Sequence, residues 1–148
     1  MRATYLEQLT DAGIGWGFFS GATTGSARYV LEKRLGLQSP VLVAMEDAPG
    51  KPNPIGLLQT VERLEQPGSK VPIIYVGDTV ADMYTVENAR QQCPDRRWVG
   101  VGVLPPHVQD TAEQSQTYAA TLQKAGAKVV FNNVEELTPV QIRKLVTE

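Results

Sequence analysis

Tyr75-Val76-Gly77-Asp78-Thr79-Val80-Ala81-Asp82 carries an apolar run into a polar turn and then into the first turn of a helical pattern. The β-branched and aromatic run predicts a buried strand over Ile73 to Val76 that delivers Asp78 at its tip. Gly77 lets the backbone bend or come close to a ligand, and Asp82 follows one helical turn later. Hard oxygen donors of this kind suit Mg²⁺, which keeps several waters and takes phosphate oxygens as well. A structural role competes for Asp82. Thr79 through Asp82 match the capping box, so Asp82 caps the helix, either alone or in addition to a metal role. Asp78 is harder to assign to structure, because an acid at the end of a buried strand needs a partner.

Working outward, further short apolar runs alternate with segments of helical period. Strands are predicted at Gly15 to Ser20, Val41 to Met45, Trp98 to Val103 and Lys128 to Phe131, with Trp16 and Trp98 in the core. Helices are predicted from about Gly25 to Leu35, after Asn53-Pro54, from Thr79, from about Thr111 to Lys124, and from Pro139 to Val146. The first turns Ala27, Val30, Leu31 and Leu35 inward and stops at Gly36. The second uses Asn53 as N-cap and turns Ile55, Leu58, Val61 and Leu64 inward. The third buries Val80, Met83, Val86 and Ala89. Runs that are apolar throughout, separated by helices, indicate an α/β fold whose parallel sheet is covered on both faces. No linker or repeat divides the chain, so residues 1–148 are expected to form one domain.

Composition narrows the functional classes. Hydrophobic residues make up 42% and charged residues 20%, which excludes a disordered or fibrous chain. A net charge of -2, with no run of Lys or Arg, gives no footprint for nucleic acid. No apolar run approaches the roughly 20 residues that span a bilayer, and the N-terminus lacks the apolar core of a signal peptide. The lone cysteine, Cys93, cannot form an intrachain disulfide and fits a reducing compartment, so a cytoplasmic location is expected. His107 follows two prolines and reads as a surface residue rather than a catalytic base.

In parallel α/β sheets, ligands bind beyond the carboxyl ends of the strands. Two such places carry suitable groups besides Asp78. Ser20-Gly21-Ala22-Thr23-Thr24-Gly25-Ser26 brings a hydroxyl and small residues to a helix N-terminus, whose N–H groups favour a phosphate oxygen. The same residues also make an ordinary strand-to-helix turn with Thr23 or Thr24 as N-cap. Lys51, in Lys51-Pro52-Asn53-Pro54, is held by prolines where it can neutralise a phosphate, or it is a solvated loop lysine.

In this order, Ser20, Lys51 in its Lys-Pro-Asn-Pro loop, and Gly77 to Asp82 resemble the second, third and fourth motifs of the haloacid dehalogenase superfamily. The branch most similar has a helical cap after the first motif and includes phosphoglycolate-phosphatase-like enzymes. The resemblance implies a Rossmann-like core and a Mg²⁺-dependent phosphatase acting on a small phosphorylated metabolite. Ser20, Gly21 and Ala22 would bind the phosphate, and Lys51 would steady phosphate and nucleophile. Asp78, helped by Asp82, would hold Mg²⁺.

One motif of that pattern does not occur. The family places an Asp-x-Asp on its first core strand as nucleophile and general acid, and these 148 residues contain no Asp-x-Asp. The resemblance therefore implies the C-terminal portion of such a core, without its first strand and cap, and inactive alone. In the family's strand order the absent strand lies between those ending at Ser20 and Val76. Three routes would satisfy the exposed edges: a longer protein or misassigned start, a strand from a second copy or partner chain, or direct pairing of the two neighbours. The competing function is a non-catalytic binding or assembly module that keeps the fold.

Overall fold

Strands form where the chain is β-branched or aromatic, and helices where it has helical period. The order is α1 (Ala3–Asp11), β1 (Phe18–Phe19), α2 (Thr24–Arg28), β2 (Leu42–Val43), α3 (Ile55–Leu64), β3 (Ile73–Gly77), α4 (Val80–Gln92), β4 (Trp98–Val103), α5 (Ala112–Lys124), β5 (Ala127–Phe131) and α6 (Pro139–Thr147). The computed structural model describes residues 1–147. They divide into two compact units, Met1–Ser69 and Lys70–Glu148.

In Lys70–Glu148, β3, β4 and β5 make a parallel sheet in that order. Val99 and Val101 face one way and pack with Leu137 and Leu145 against α6. The opposite face packs Met83 from α4 and Leu122 from α5 against Ala127 and Val130. Helices thus cover both faces, which is why β4 reads as a continuous apolar run. Full burial of a valine such as Val101 contributes about 1.5–3 kcal/mol relative to leaving it exposed. Trp98 belongs to this core, and its Nε1–H donates to the Cys93 carbonyl at 3.0 Å.

In Met1–Ser69, β1 and β2 are parallel, with Phe18 opposite Leu42 and Phe19 opposite Val43. Phe18 joins Ala27, Leu31, Leu42 and Ala44 in one cluster. Phe19 turns to the other side, where its ring lies against Gly56 of α3. The alternation of a Rossmann-like α/β fold is therefore present in both units. β1 and β3, the strands expected to flank the absent one, are edge strands of separate sheets.

Three local expectations differ from the structure. After Arg28 the helix widens into a π-helical stretch, Tyr29–Arg34, and the Leu35 N–H donates to the Val30 carbonyl five residues back. A stripe drawn at 3.6 residues per turn therefore misplaces Val30, which is 45% exposed while Leu31 is buried. The segment still stops at Gly36, whose φ of 75° suits glycine. Helix α3 buries Gly56, Leu57, Thr60 and Val61, so Val61 of the expected stripe faces inward while Ile55 and Leu64 are exposed. The Asn53 side chain accepts from the Ile55 N–H at 3.0 Å, and Asn53 and Pro54 both precede the first helical residue. Trp16 lies outside β1 and is half-buried, and its Nε1–H donates to Thr10 Oγ1 at 2.9 Å.

Candidate active site

In Lys70–Glu148, the carboxyl end of β3 is organised around Asp82. This side chain is buried, with 3% of its surface exposed. One oxygen, Oδ1, accepts from the buried Tyr75 hydroxyl at 3.1 Å. The other accepts from the Asp78 N–H at 3.2 Å, the Thr79 N–H at 3.1 Å and the Thr79 hydroxyl at 2.8 Å. In return the Asp82 N–H donates to Thr79 Oγ1 at 3.2 Å, which completes the capping box. Burial first, then the neighbouring Asp82 carboxylate, pushes the Tyr75 phenol well above its ordinary range, so it remains a proton donor.

Gly77 owes its identity to this arrangement. A Cβ there would lie 2.3 Å from the Asp82 Cβ and Cγ, so the close approach is made by the chain's own carboxylate. Asp78, by contrast, is exposed at the strand tip. An exposed carboxylate does not carry the need for a partner that a buried acid has. The Tyr118 hydroxyl donates to the Asp78 carbonyl at 2.5 Å, and the His107 ring lies edge-on to Tyr118 with centroids 6.4 Å apart. Burial first, then the Asp78 and Asp82 carboxylates, raises the Tyr118 phenol as well. Sequence reasoning passed over Tyr118, since helical spacing alone gives no sign that a residue of α5 reaches this turn.

Magnesium takes hard oxygen donors. Asp78 offers an exposed carboxylate of the right hardness, but the Asp82 oxygens already accept four hydrogen bonds within the chain. Among the described residues, no group of three or more His, Cys, Asp or Glu is placed to hold a metal. The Asp78 carboxylate is the kind of hard oxygen donor that Mg²⁺ takes.

In Met1–Ser69, Ser20 follows β1 and is half-buried. Its N–H donates to the Val43 carbonyl at 2.9 Å, which fixes it at the end of the ladder. Its Oγ accepts from the Ala22 N–H at 3.1 Å, and accepting there leaves the hydroxyl proton available to donate. The Ala22 carbonyl in turn accepts from the Met45 N–H at 3.0 Å, so Ala22 ties the loop to the residue after β2. Gly21 is exposed, with open space where a Cβ would stand. Thr23 is the N-cap, accepting from the Ser26 N–H at 3.3 Å.

Two features here were not anticipated. Glu46, just beyond β2, accepts from the Thr24 N–H at 2.8 Å, so a carboxylate of the chain occupies the helix start where a phosphate oxygen was expected. A helix N-terminus attracts either anion for the same electrostatic reason. Lys51 is half-buried rather than solvated, and its Nζ stands 5.1 Å from the centre of the Phe19 ring. Phe19 directly precedes Ser20, so the ring links Lys51 to the strand that carries Ser20. The contact needs Gly56, where a Cβ would fall 2.2 Å from the ring.

No helix of the described residues is long and apolar enough to cross a membrane. Comparison with known proteins adds the family. Residues 2–90 match the family of haloacid dehalogenase-like hydrolases. No curated protein matches the chain. Among solved structures, a phosphonoacetaldehyde hydrolase-like protein from Oleispira antarctica has 23% identity and a TM-score of 0.71, covering 95% of this chain and 54% of its own. A haloacid dehalogenase-like hydrolase from Bacteroides fragilis has 22% identity and a TM-score of 0.60, covering 90% of this chain and 56% of its own. At these identities the two structures show a shared fold, and this chain spans about half the length of each. Since the family match covers more than half of the sequence and includes Ser20, Lys51, Asp78 and Asp82, the chain belongs to the haloacid dehalogenase-like hydrolases.

Proposed function

We propose that this chain supplies the phosphate-binding and metal-holding part of a Mg²⁺-dependent phosphatase acting on a small phosphorylated metabolite, and that it is inactive alone because it carries no Asp-x-Asp. The observation that carries the reading is the pairing of Lys51 with the Phe19 ring, which holds a cation beside the strand that ends in Ser20. On this reading the Ser20 hydroxyl donates to a phosphate oxygen, with its orientation set by the bond from Ala22 N–H. Lys51 neutralises the phosphate and the attacking carboxylate. Asp78 is the residue that would hold Mg²⁺, and a bound ion would offset negative charge on the phosphoryl oxygens. Asp82 acts as a positioning residue: it fixes the Asp78 and Thr79 backbone and leaves the Asp78 carboxylate exposed.

A direct test restores an Asp-x-Asp strand and cap in front of this chain and measures release of p-nitrophenol from p-nitrophenyl phosphate. The restored protein turns over in Mg²⁺, and Asp78→Asn abolishes turnover. Full activity in Asp78→Asn would remove the metal role. The second reading, a non-catalytic binding or assembly module, is favoured by Glu46 seated on the Thr24 N–H. It predicts no turnover even after the first motif is restored, together with a stable dimer or a partner chain that completes the sheet.

A further inference from the structure

Arg90, Arg96, Arg97 and Lys128 line an open cleft of about 490 Å³ in Lys70–Glu148, and no acidic residue lines it among the described residues. No basic run in the sequence announces this cluster. Arg90 comes from the end of α4, Arg96 and Arg97 from the residues before β4, and Lys128 from the start of β5. Folding brings them together at the amino ends of β4 and β5. Asp78 follows the carboxyl end of β3, and the three strands are parallel, so the cleft lies at the opposite end of the sheet from Asp78.

The cations are anchored rather than loose. Arg90 Nη2 donates to the Trp98 carbonyl at 2.7 Å, and Arg96 Nε donates to the Val71 carbonyl at 2.8 Å while its guanidinium stands 5.9 Å from the Trp98 ring centre. Arg97 Nη2 and Lys128 Nζ reach the Leu145 carbonyl at 3.4 and 3.5 Å. Of the nearby acids, Glu87 bonds Arg90, and Asp95 bonds Lys70 and also feels the charge of Arg96. Each bond to a carbonyl uses one donor and fixes where the others stand. Four cationic side chains converge on one cleft, Arg90 among them also paired with Glu87, in a chain whose net charge is -2. Guanidinium groups match phosphate oxygens in charge and in forked geometry. The volume falls within the roughly 300–1,000 Å³ of small-molecule sites.

We propose that this cleft binds a small molecule carrying two or more phosphate groups, through residues other than Ser20, Lys51 and Asp78. The inference does not depend on the phosphatase reading, because none of its residues takes part there. The test is calorimetric titration of the 148-residue chain with inorganic pyrophosphate, without divalent cations. Pyrophosphate binds saturably, and the Arg97→Gln/Lys128→Gln variant binds it roughly tenfold or more weakly, as loss of charge-assisted hydrogen bonds requires. If the double variant fails to fold, Lys128→Gln alone, at an exposed side chain, weakens binding several-fold. ADP distinguishes the source: tighter binding than pyrophosphate points to a nucleotide, and equal binding to the diphosphate group alone. Absence of saturable binding, or equal affinity in the Arg97→Gln/Lys128→Gln and Lys128→Gln variants, would overturn the proposal.

Discussion

In Lys70–Glu148 the sheet is built from three parallel strands of five or six residues, whereas in Met1–Ser69 it is built from two strands of two residues each. The longer ladder positions Asp78 by backbone pairing, and the capping box then sets the turn that follows. The shorter ladder has few backbone bonds, and side chains complete it. Arg63 donates to the Leu42 carbonyl at 3.0 Å, Asp47 accepts from the Ala44 N–H at 2.9 Å, and Phe19 packs on Gly56. One end of a strand is thus presented by main chain and a buried carboxylate, the other by side-chain packing. Substitutions should fail differently in the two units.

The largest effect is expected at Asp82. Asp82→Ala removes the acceptor for three groups of the turn and leaves the Tyr75 hydroxyl buried without it, which costs roughly 2–4 kcal/mol. Urea unfolding followed by far-UV circular dichroism measures this, and a loss below 0.5 kcal/mol would show that the turn does not depend on the carboxylate. Next is Gly56→Ala in the other unit. The added methyl meets the Phe19 ring, and overpacking of this kind costs about 1–3 kcal/mol. The same substitution displaces Lys51 from the ring, so Phe19 and Lys51 side-chain resonances shift together. Shifts confined to residue 56 would break the proposed link.

A smaller effect separates the units by pH. The Tyr75 phenol is raised from 10.0 by burial and by Asp82, so the unfolded chain loses this proton near pH 10 while the folded chain keeps it. The resulting stability is fully present below about pH 10 and declines above it by about 1.4 kcal/mol per pH unit. Tyr75→Phe should flatten the alkaline decline, and an unchanged slope would remove Tyr75 as its source. The smallest effect is at Asp78. As an exposed side chain it contributes little to folding, and Asp78→Asn changes stability by less than about 0.5 kcal/mol. A larger loss would mean that its carboxylate, too, is structural.

Much of this organisation is legible in the sequence. The segment from Tyr75 to Asp82 gives strand, turn, capping box and helix because each step has a local cause. Trp98 to Val103 reads as a buried strand for the same reason. Other features depend on contacts distant in sequence. Nothing local predicts that Phe19 meets both Lys51 and Gly56, or that Glu46 settles on the Thr24 N–H. The π-helical stretch escapes a 3.6-residue template, and the exposure of Asp78 escapes a rule that treats every strand tip as buried. The basic cleft is the clearest case, since its four cations come from three segments and become neighbours only on folding.

The most direct test of the central claim is hydrolysis of p-nitrophenyl phosphate by the 148-residue chain alone in the presence of Mg²⁺. The account predicts no release of p-nitrophenol above the uncatalysed rate, because the chain holds binding groups without the attacking carboxylate. Mg²⁺-dependent turnover by the unextended chain would contradict it.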